Sequence, residues 1–564
     1  MTATPLVELR PRSATSPALA ETPPADRGRA SAASGAAASG AAASGRRVPP
    51  SGTTAAVLRD GRRARVAGRA ARPGSAPDDR RDDLVWRSGR LELHLRRATD
   101  GPVMLGRLVA GSVETVVAEP VPLVDALVAA GPGAAAGVGA DLRYVAHSVS
   151  ADGATLVVVQ ATPAGIRVTA TLRGRDGALR STAVVTNDTG APVRVEAVTC
   201  WAAPLGVRLD KGDVPDPAAD WELLEGRVDA SGAERWSVRD LRSAELLPCP
   251  RAGGAEAGGA EAGRGSVDRA SGAAADAVHA AAALPVAALL SERQEVAWLW
   301  EVAADGPWRW QLHEGTADCR LALSRPAHAD PAGAEILAPG ASTAAASALV
   351  AVGTDLEDAA AAMTRARRAE RLASGAVPSD RMHDATAVAT AALSTLPEET
   401  VVPVHLRSGM TTAETTAALV AGLAGALRLD ADGDLRPDQR ALAADAVRVA
   451  DDLRDGLARS VPLWPRGVPA GGERWTCTAR DTGEAVVVAI GDRGDDADAA
   501  LLSFPSLVGR RVDVAVLFPR DLADGGADEA ADGGAEWDAV RGILTVRSAP
   551  GGPSARLLEL RRRS

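Results

Sequence analysis

Four tryptophans, Trp298, Trp300, Trp308 and Trp310, crowd one short stretch of a chain that has eleven in all, with one Tyr and two Phe. Large aromatic surface is scarce in this protein, and much of it is concentrated here. The order runs Val296-Ala-Trp298-Leu-Trp300-Glu, then Trp308-Arg-Trp310-Gln-Leu-His313. Tryptophans spaced by two fall on one face of an extended strand. Asp305-Gly306-Pro307 reads as a turn, so the stretch predicts two amphipathic strands in a hairpin. Each indole buries roughly 150–250 Å². Hiding four of them, with Trp236 upstream as a fifth, requires a thick β-sheet core.

The same alternation organises the chain from Trp86 onward. Leu91-Glu-Leu93-His94-Leu95, Thr155-Leu-Val-Val-Val159, Ile166-Arg-Val168-Thr-Ala170-Thr-Leu172 and Ser181-Thr-Ala183-Val-Val185 are separated by Asp-Gly turn dipeptides at Asp152-Gly153 and Asp176-Gly177. Period-two runs between such turns predict antiparallel sheets. Residues 86–352 therefore read as a large β-sandwich, interrupted by a Gly/Ala-rich loop at Ala252–Ala275. Thr354-Asp-Leu-Glu357 has the form of a capping box opening a helix that stops at Gly375. A helical segment fills residues 354–460, and its last helix begins at Pro437 with Leu442, Ala446, Val449, Leu453 and Leu457 on one stripe. After Trp464-Pro465 alternating strands return, so residues 461–564 read as a small C-terminal β-sandwich. The fold class is mainly β with a helical middle.

Residues 1–80 are Ala, Ser, Gly, Pro and Arg with few large apolar groups, a composition that cannot offset ordering entropy and predicts a disordered tail. Over the whole chain 46% of residues are hydrophobic, enough to supply a core. Net charge is −10, from 63 basic and 73 acidic residues that are interspersed. That balance excludes a nucleic-acid binder, which would concentrate basic charge in a patch. Cys200, Cys249, Cys319 and Cys477 form no CxxC pair, so the expectation is reduced thiols in a cytoplasmic protein, with no metal site and no cofactor. No apolar run is long enough for a bilayer, and the N-terminus lacks the apolar core of a secretory signal.

Four local matches fall in a meaningful order. They are Trp308-Arg-Trp310-Gln-Leu-His-Glu-Gly; Leu321-Ala-Leu-Ser324-Arg-Pro326 with His328; Leu337-Ala-Pro339-Gly340 followed by Met363-Thr-Arg365-Ala-Arg367-Arg368-Ala; and Leu435-Arg-Pro437-Asp-Gln439 leading to Arg459-Ser-Val-Pro-Leu-Trp464-Pro-Arg-Gly467. In this order the chain resembles the α-galactosidases of glycoside hydrolase family 36. The resemblance implies a front sandwich, a (β/α)₈ barrel and a closing sandwich. A barrel takes about 200–250 residues, whereas Leu372 to Ala458 spans only 87. The family's Lys-Trp-Asp nucleophile motif has no counterpart either. The one lysine, Lys211, precedes Gly212-Asp213 inside the β region. Val402-Pro-Val-His405-Leu-Arg-Ser-Gly-Met-Thr411 is a distant match to the family's late-barrel run.

No catalytic residue is carried over. A retaining glycosidase needs two carboxyl groups about 5–5.5 Å apart, and the barrel that would present them does not fit. Trp308 and Trp310 are the candidate carbohydrate-binding residues, since paired indoles can stack on a sugar face. The same spacing fits sandwich core, and that reading weighs more. His313 and His328 read as turn histidines with sugar contact as the alternative. Asp430-Ala-Asp432-Gly-Asp434 misses a calcium loop, its Gly two places early and Ala441 where the bidentate Glu belongs. His383-Asp384 specifies no triad. The expectation is an α-galactosidase-like protein of carbohydrate metabolism without hydrolytic activity. The resemblance implies an α-galactoside or other oligosaccharide as ligand and a homo-oligomer, with no nucleic-acid or membrane partner. The alternatives are a sugar-binding or assembly module and a decaying gene product.

Overall fold

The computed structural model describes residues 83–563, apart from 98–99, 130–134, 209–210, 212–216, 229–233, 244–246, 249–264, 271–281, 304–306, 315–318, 327–333, 346, 376–380, 384–386, 470–472, 495–498, 521–533 and 549–553. The expected N-terminal tail, Cys249, His328 and Asp384 lie outside the described residues.

Among the described residues up to Gly353, three antiparallel sheets of ten, eight and five strands surround one apolar interior. Leu93 and Leu105 enter it from the five-stranded sheet, Val168 and Trp298 from the ten-stranded sheet, and Trp201 and Leu321 from the eight-stranded sheet. The strand pair Ile166–Arg175 and Ala178–Asn187 shows how local sequence sets register. Asp176 and Gly177 both take positive φ, 51° and 89°. That is the two-residue turn whose twist matches the strands it joins, and Asp-Gly is its preferred pair. Part of the segment expected to be a loop, Gly265–Ala270, is instead a strand paired with Arg309–Glu314.

The tryptophan stretch does not form the expected hairpin. Val296–Val302 lies in the ten-stranded sheet between Ala282–Ser291 and Ala348–Gly353. Arg309–Glu314 lies in the eight-stranded sheet between Gly265–Ala270 and Cys319–Pro326. The chain crosses from one layer to the other, so the two runs face each other across the core instead of pairing edge to edge. The physical reason is aromatic bulk. Trp300 and Trp310 meet in an edge-to-face pair with ring centroids 5.4 Å apart, a geometry that bridges two packed sheets.

The ten-stranded sheet is covered on its other side as well. Ala297, Leu299, Leu349 and Ala351 meet Ala359, Ala362, Met363 and Ala366 of the helix Leu356–Ser374. This explains why Val296–Val302 is apolar on both faces until Glu301, which receives Arg367 at 2.9 Å. The helix cap sits one residue later than the sequence suggests. Asp355 accepts from Asp358 N, and Gly375 closes the helix with φ 63°. Glu357 is diverted, and its carboxylate accepts the backbone N–H of Trp464 at 2.7 Å. Trp464 Nε1 donates to Ala389 O at 2.9 Å, so this one indole ties the C-terminal region to the middle.

The middle segment is not simply helical. Arg381–Met382, Thr400–Leu406 and Ala426–Ala431 form a parallel three-stranded sheet. The helices Thr412–Leu423 and Pro437–Leu457 cover one side of it. Among the described residues there is no closed barrel. On the far side of these helices lies a five-stranded antiparallel sheet that contributes Ala489, Phe518 and Leu557 to the shared core. A three-stranded sheet closes the C-terminal sandwich over Val488, Leu502, Leu544 and Leu558.

Candidate functional site

Two features of the middle segment could carry chemistry, one at each end of the parallel strands. The carboxyl end is where open α/β sheets and barrels place their sites. Here it carries His405, Asp430 and Asp432. The imidazole Nδ1 lies 3.3 Å from Asp430 Oδ2, and Nε2 lies 3.3 Å from Asp432 Oδ1. The neighbouring loop is held firmly. Thr411 caps the helix Thr412–Leu423 in a reciprocal capping box with Glu414. Arg436 donates to Ser408 O at 2.7 Å and Met410 O at 2.8 Å, while buried Gln439 donates to Arg407 O at 3.0 Å.

The sheet face beside this cluster is wet. Val402, Val404 and Leu406 alternate inward against the helices, with Leu427, Leu429 and Ala431 beside them. On the opposite face, Pro403, His405 and Arg428 are exposed and Asp430 is half-exposed. A closed barrel fills that face with layers of branched apolar side chains. Side chains of His405, Asp430 and Asp432 are 44%, 43% and 48% exposed. Exposed polar contacts of this kind add little stability. Nor do they enclose a substrate.

The residues nominated from sequence are dispersed. Trp308 and Trp310, the candidate sugar platform, are 4% and 0% exposed. Both belong to the sandwich core, and neither ring offers a free face, because the opposite sheet covers them. Trp298 and Trp300 are equally buried, and Trp236, on the strand Glu234–Asp240 of the ten-stranded sheet, packs in the separate apolar cluster on that sheet's other side. His313 lies in the strand Arg309–Glu314, on the front sandwich. His383 follows the short strand Arg381–Met382. Asp430 and Asp432 are brought together on either side of His405. Cys200 is buried, and burial pushes its thiol up to about 12, which makes it inert.

At the amino end of the same strands lies a feature that sequence reading missed. A cavity of about 640 Å³ opens among Arg371, Glu398, Gly425, Leu427, Leu453 and Arg480. Glu398 is the anchor of its wall. Its carboxylate accepts two bonds from Arg368, both 2.8 Å, and one from Arg371, 2.8 Å; Arg371 also reaches Glu399 at 3.1 Å. Burial pushes the Glu398 carboxyl up, but the hydrogen bonds and charge of Arg368, with Arg371, outweigh it and hold it below its ordinary value. Arg368 was visible in the sequence within the Met363–Ala369 run, and Arg371 follows two positions after it. Their partners, Glu398 and Glu399, sit in an unremarkable turn.

The architecture is a large front sandwich, a parallel sheet open on one face and a closing sandwich. No protein-family profile matches the chain, and no curated protein does. Solved structures do. The GH36 alpha-galactosidase AgaA from Geobacillus stearothermophilus matches with a TM-score of 0.54 at 10% identity, over 86% of this chain and 100% of the other. The alpha-galactosidase from Lactobacillus brevis matches with a TM-score of 0.51 at 9% identity, over 86% of this chain and 98% of the other. A variant of the Geobacillus enzyme was solved with stachyose bound, and it matches with a TM-score of 0.56 at 9% identity, over 86% of this chain and 100% of the other. The resemblance read in the sequence therefore holds at the level of fold. Among the described residues no helix is long and apolar enough to cross a membrane.

Proposed function

We propose that this chain is a non-hydrolytic relative of the GH36 α-galactosidases, a folded scaffold that retains both β domains around a reduced barrel. The observation that carries the proposal is the solvent-facing side of the parallel sheet, where His405, Arg428 and Asp430 stand beside Pro403. A site for glycoside cleavage needs an enclosed pair of carboxyl groups, one held protonated as acid. The carboxylates at this edge, Asp430 and Asp432, stand open to water on either side of one imidazole. The same polar face speaks against a decaying product, since a randomly truncated barrel would leave its apolar interior exposed. The buried thiols of Cys200 and Cys319 fit a reducing cytoplasm. Galactoside binding without cleavage is a second reading, but the buried Trp308 and Trp310 and the open His405 edge supply no walled site for it.

The test is release of p-nitrophenol from its α-galactoside, and of galactose from melibiose, by the purified chain against a heat-killed control. No release above the control is expected. Enzyme-dependent release would falsify the proposal and mean that a compact site works without a closed barrel. Calorimetry on the same sample should show cooperative unfolding. A featureless trace would return the decaying-product reading.

A further inference from the structure

The cavity at the amino end of the parallel strands contains a charge without a partner. Arg480 stands on the strand Trp475–Asp481 of the C-terminal sandwich and lines the cavity. The residue is 5% exposed. Its Nε, Nη1 and Nη2 atoms are each closed to solvent and have no hydrogen-bond partner among the described residues. Leaving five donors of a buried guanidinium unmet is costly, and buried charges are ordinarily paired.

The surrounding charges do not meet this need. Glu398 is committed to Arg368 and Arg371, and Glu399 to Arg371. Arg368 uses a further donor on Ser460 O at 3.0 Å. Arg454, also in the lining, is paired with Asp451; Arg368, Arg371 and Arg480 share Glu398 and Glu399, which leaves one positive charge in surplus at Arg480. Burial pushes the Arg480 guanidinium down to about 10, with Glu398 working against that shift and Arg368 adding to it. At neutral pH it therefore stays charged. The rest of the lining is mostly apolar, with Leu423, Leu427, Leu453, Leu457 and Leu557 around the space.

We propose that this cavity binds a monoanionic carboxylate carried on an apolar body, with Arg480 as its counter-ion. The single surplus charge fits a carboxylate better than a phosphate dianion. The planar guanidinium fork matches two carboxylate oxygens, and the leucine walls receive the apolar body. Arg480 has no hydrogen bond to break, so a carboxylate that reaches its fork displaces no existing partner. The site lies at the opposite end of the strands from His405 and is independent of any reading about glycoside cleavage.

The experiment is calorimetric titration of the full chain with octanoate, with octanol as the uncharged match and inorganic phosphate as the anion without an apolar body. Octanoate should bind one per chain and raise the unfolding temperature, with octanol and phosphate clearly weaker. Arg480→Leu should fold at least as well as the parent, because an unpaired buried charge is replaced by an apolar group. It should weaken octanoate by roughly tenfold or more, the worth of one charge-assisted hydrogen bond. Ala450→Phe, which narrows the cavity from the helix Pro437–Leu457 without touching the charge, should weaken it too. No octanoate binding by the folded parent, or equal binding by Arg480→Leu, overturns the proposal. Phosphate binding as tight as octanoate overturns the assignment of an apolar body.

Discussion

Replacing Trp300 with Ala is expected to cost the front sandwich roughly 3–5 kcal/mol, the usual range for truncating a fully buried large aromatic. Trp300 is 0% exposed and sits between Ala287 and Val350 on neighbouring strands. Its ring also meets Trp310 of the opposite sheet, so the void would open at the contact between layers. Trp310→Ala should cost a similar amount. The double variant should lose less than the two added together, by about 0.5–1.5 kcal/mol, which is the worth of an edge-to-face pair. Denaturant unfolding of the parent, both single variants and the double variant measures all four corners. Strict additivity would mean that the two rings stabilise different regions and that the strands do not oppose each other as described. A stability loss below about 1 kcal/mol for either single variant would place that indole outside a closed core.

Glu398→Ala is expected to cost about 3–5 kcal/mol, because it strands charges that are already out of water. The side chains of Arg368 and Arg371 are 13% and 15% exposed, and Glu398 holds both. With Arg480 close by, removing this carboxylate would leave three guanidinium groups facing Glu399 alone. The pH dependence has a definite sign. Native contacts hold the Glu398 carboxyl below its ordinary value of 4.5, so folding favours the ionised form. Its contribution is fully present above about pH 4.5 and is lost as pH falls through the lower native value. Acid titration of stability should therefore be flatter in Glu398→Gln than in the parent over that window. Parallel curves would show that Glu398 does not carry this share of the acid sensitivity.

The β regions were legible because alternation and turn chemistry act over a few residues. Asp176-Gly177 specifies its own turn whatever surrounds it, and Pro437 starts a helix at the predicted place. The partner of each strand was less legible. Trp298-Leu-Trp300 and Trp308-Arg-Trp310 each announce a strand, yet nothing local says whether the connection folds back in one sheet or crosses to the other. That choice followed from where four large rings could be packed. Similarly, Thr354-Asp-Leu-Glu357 announces a helix start, but Glu357 answers to Trp464, more than a hundred positions away.

The parallel sheet was missed for a different reason. Thr400–Leu406 and Ala426–Ala431 are short and flanked by Ala-rich helical segments, so their own periodicity is weak beside that of their neighbours. Their pairing becomes favourable only when the helices Thr412–Leu423 and Pro437–Leu457 supply a shared apolar layer.

By itself the sequence determined that this protein is mainly β, that its clustered tryptophans belong to a β-sheet core, and that too few residues separate its two β regions for a full barrel. These follow from side-chain period, turn preference and chain length, all local or additive properties. Tertiary structure alone decided that the tryptophan strands face each other, that one face of the parallel sheet lies open to solvent, and that Arg480 is buried. On its strand, Arg480 alternates with inward-facing Trp475 and Ala479 and shares its face with Thr476 and Thr478. Read alone, that face belongs to solvent. It becomes an interior because the helices of the middle segment pack across it and remove the water that a guanidinium would otherwise keep.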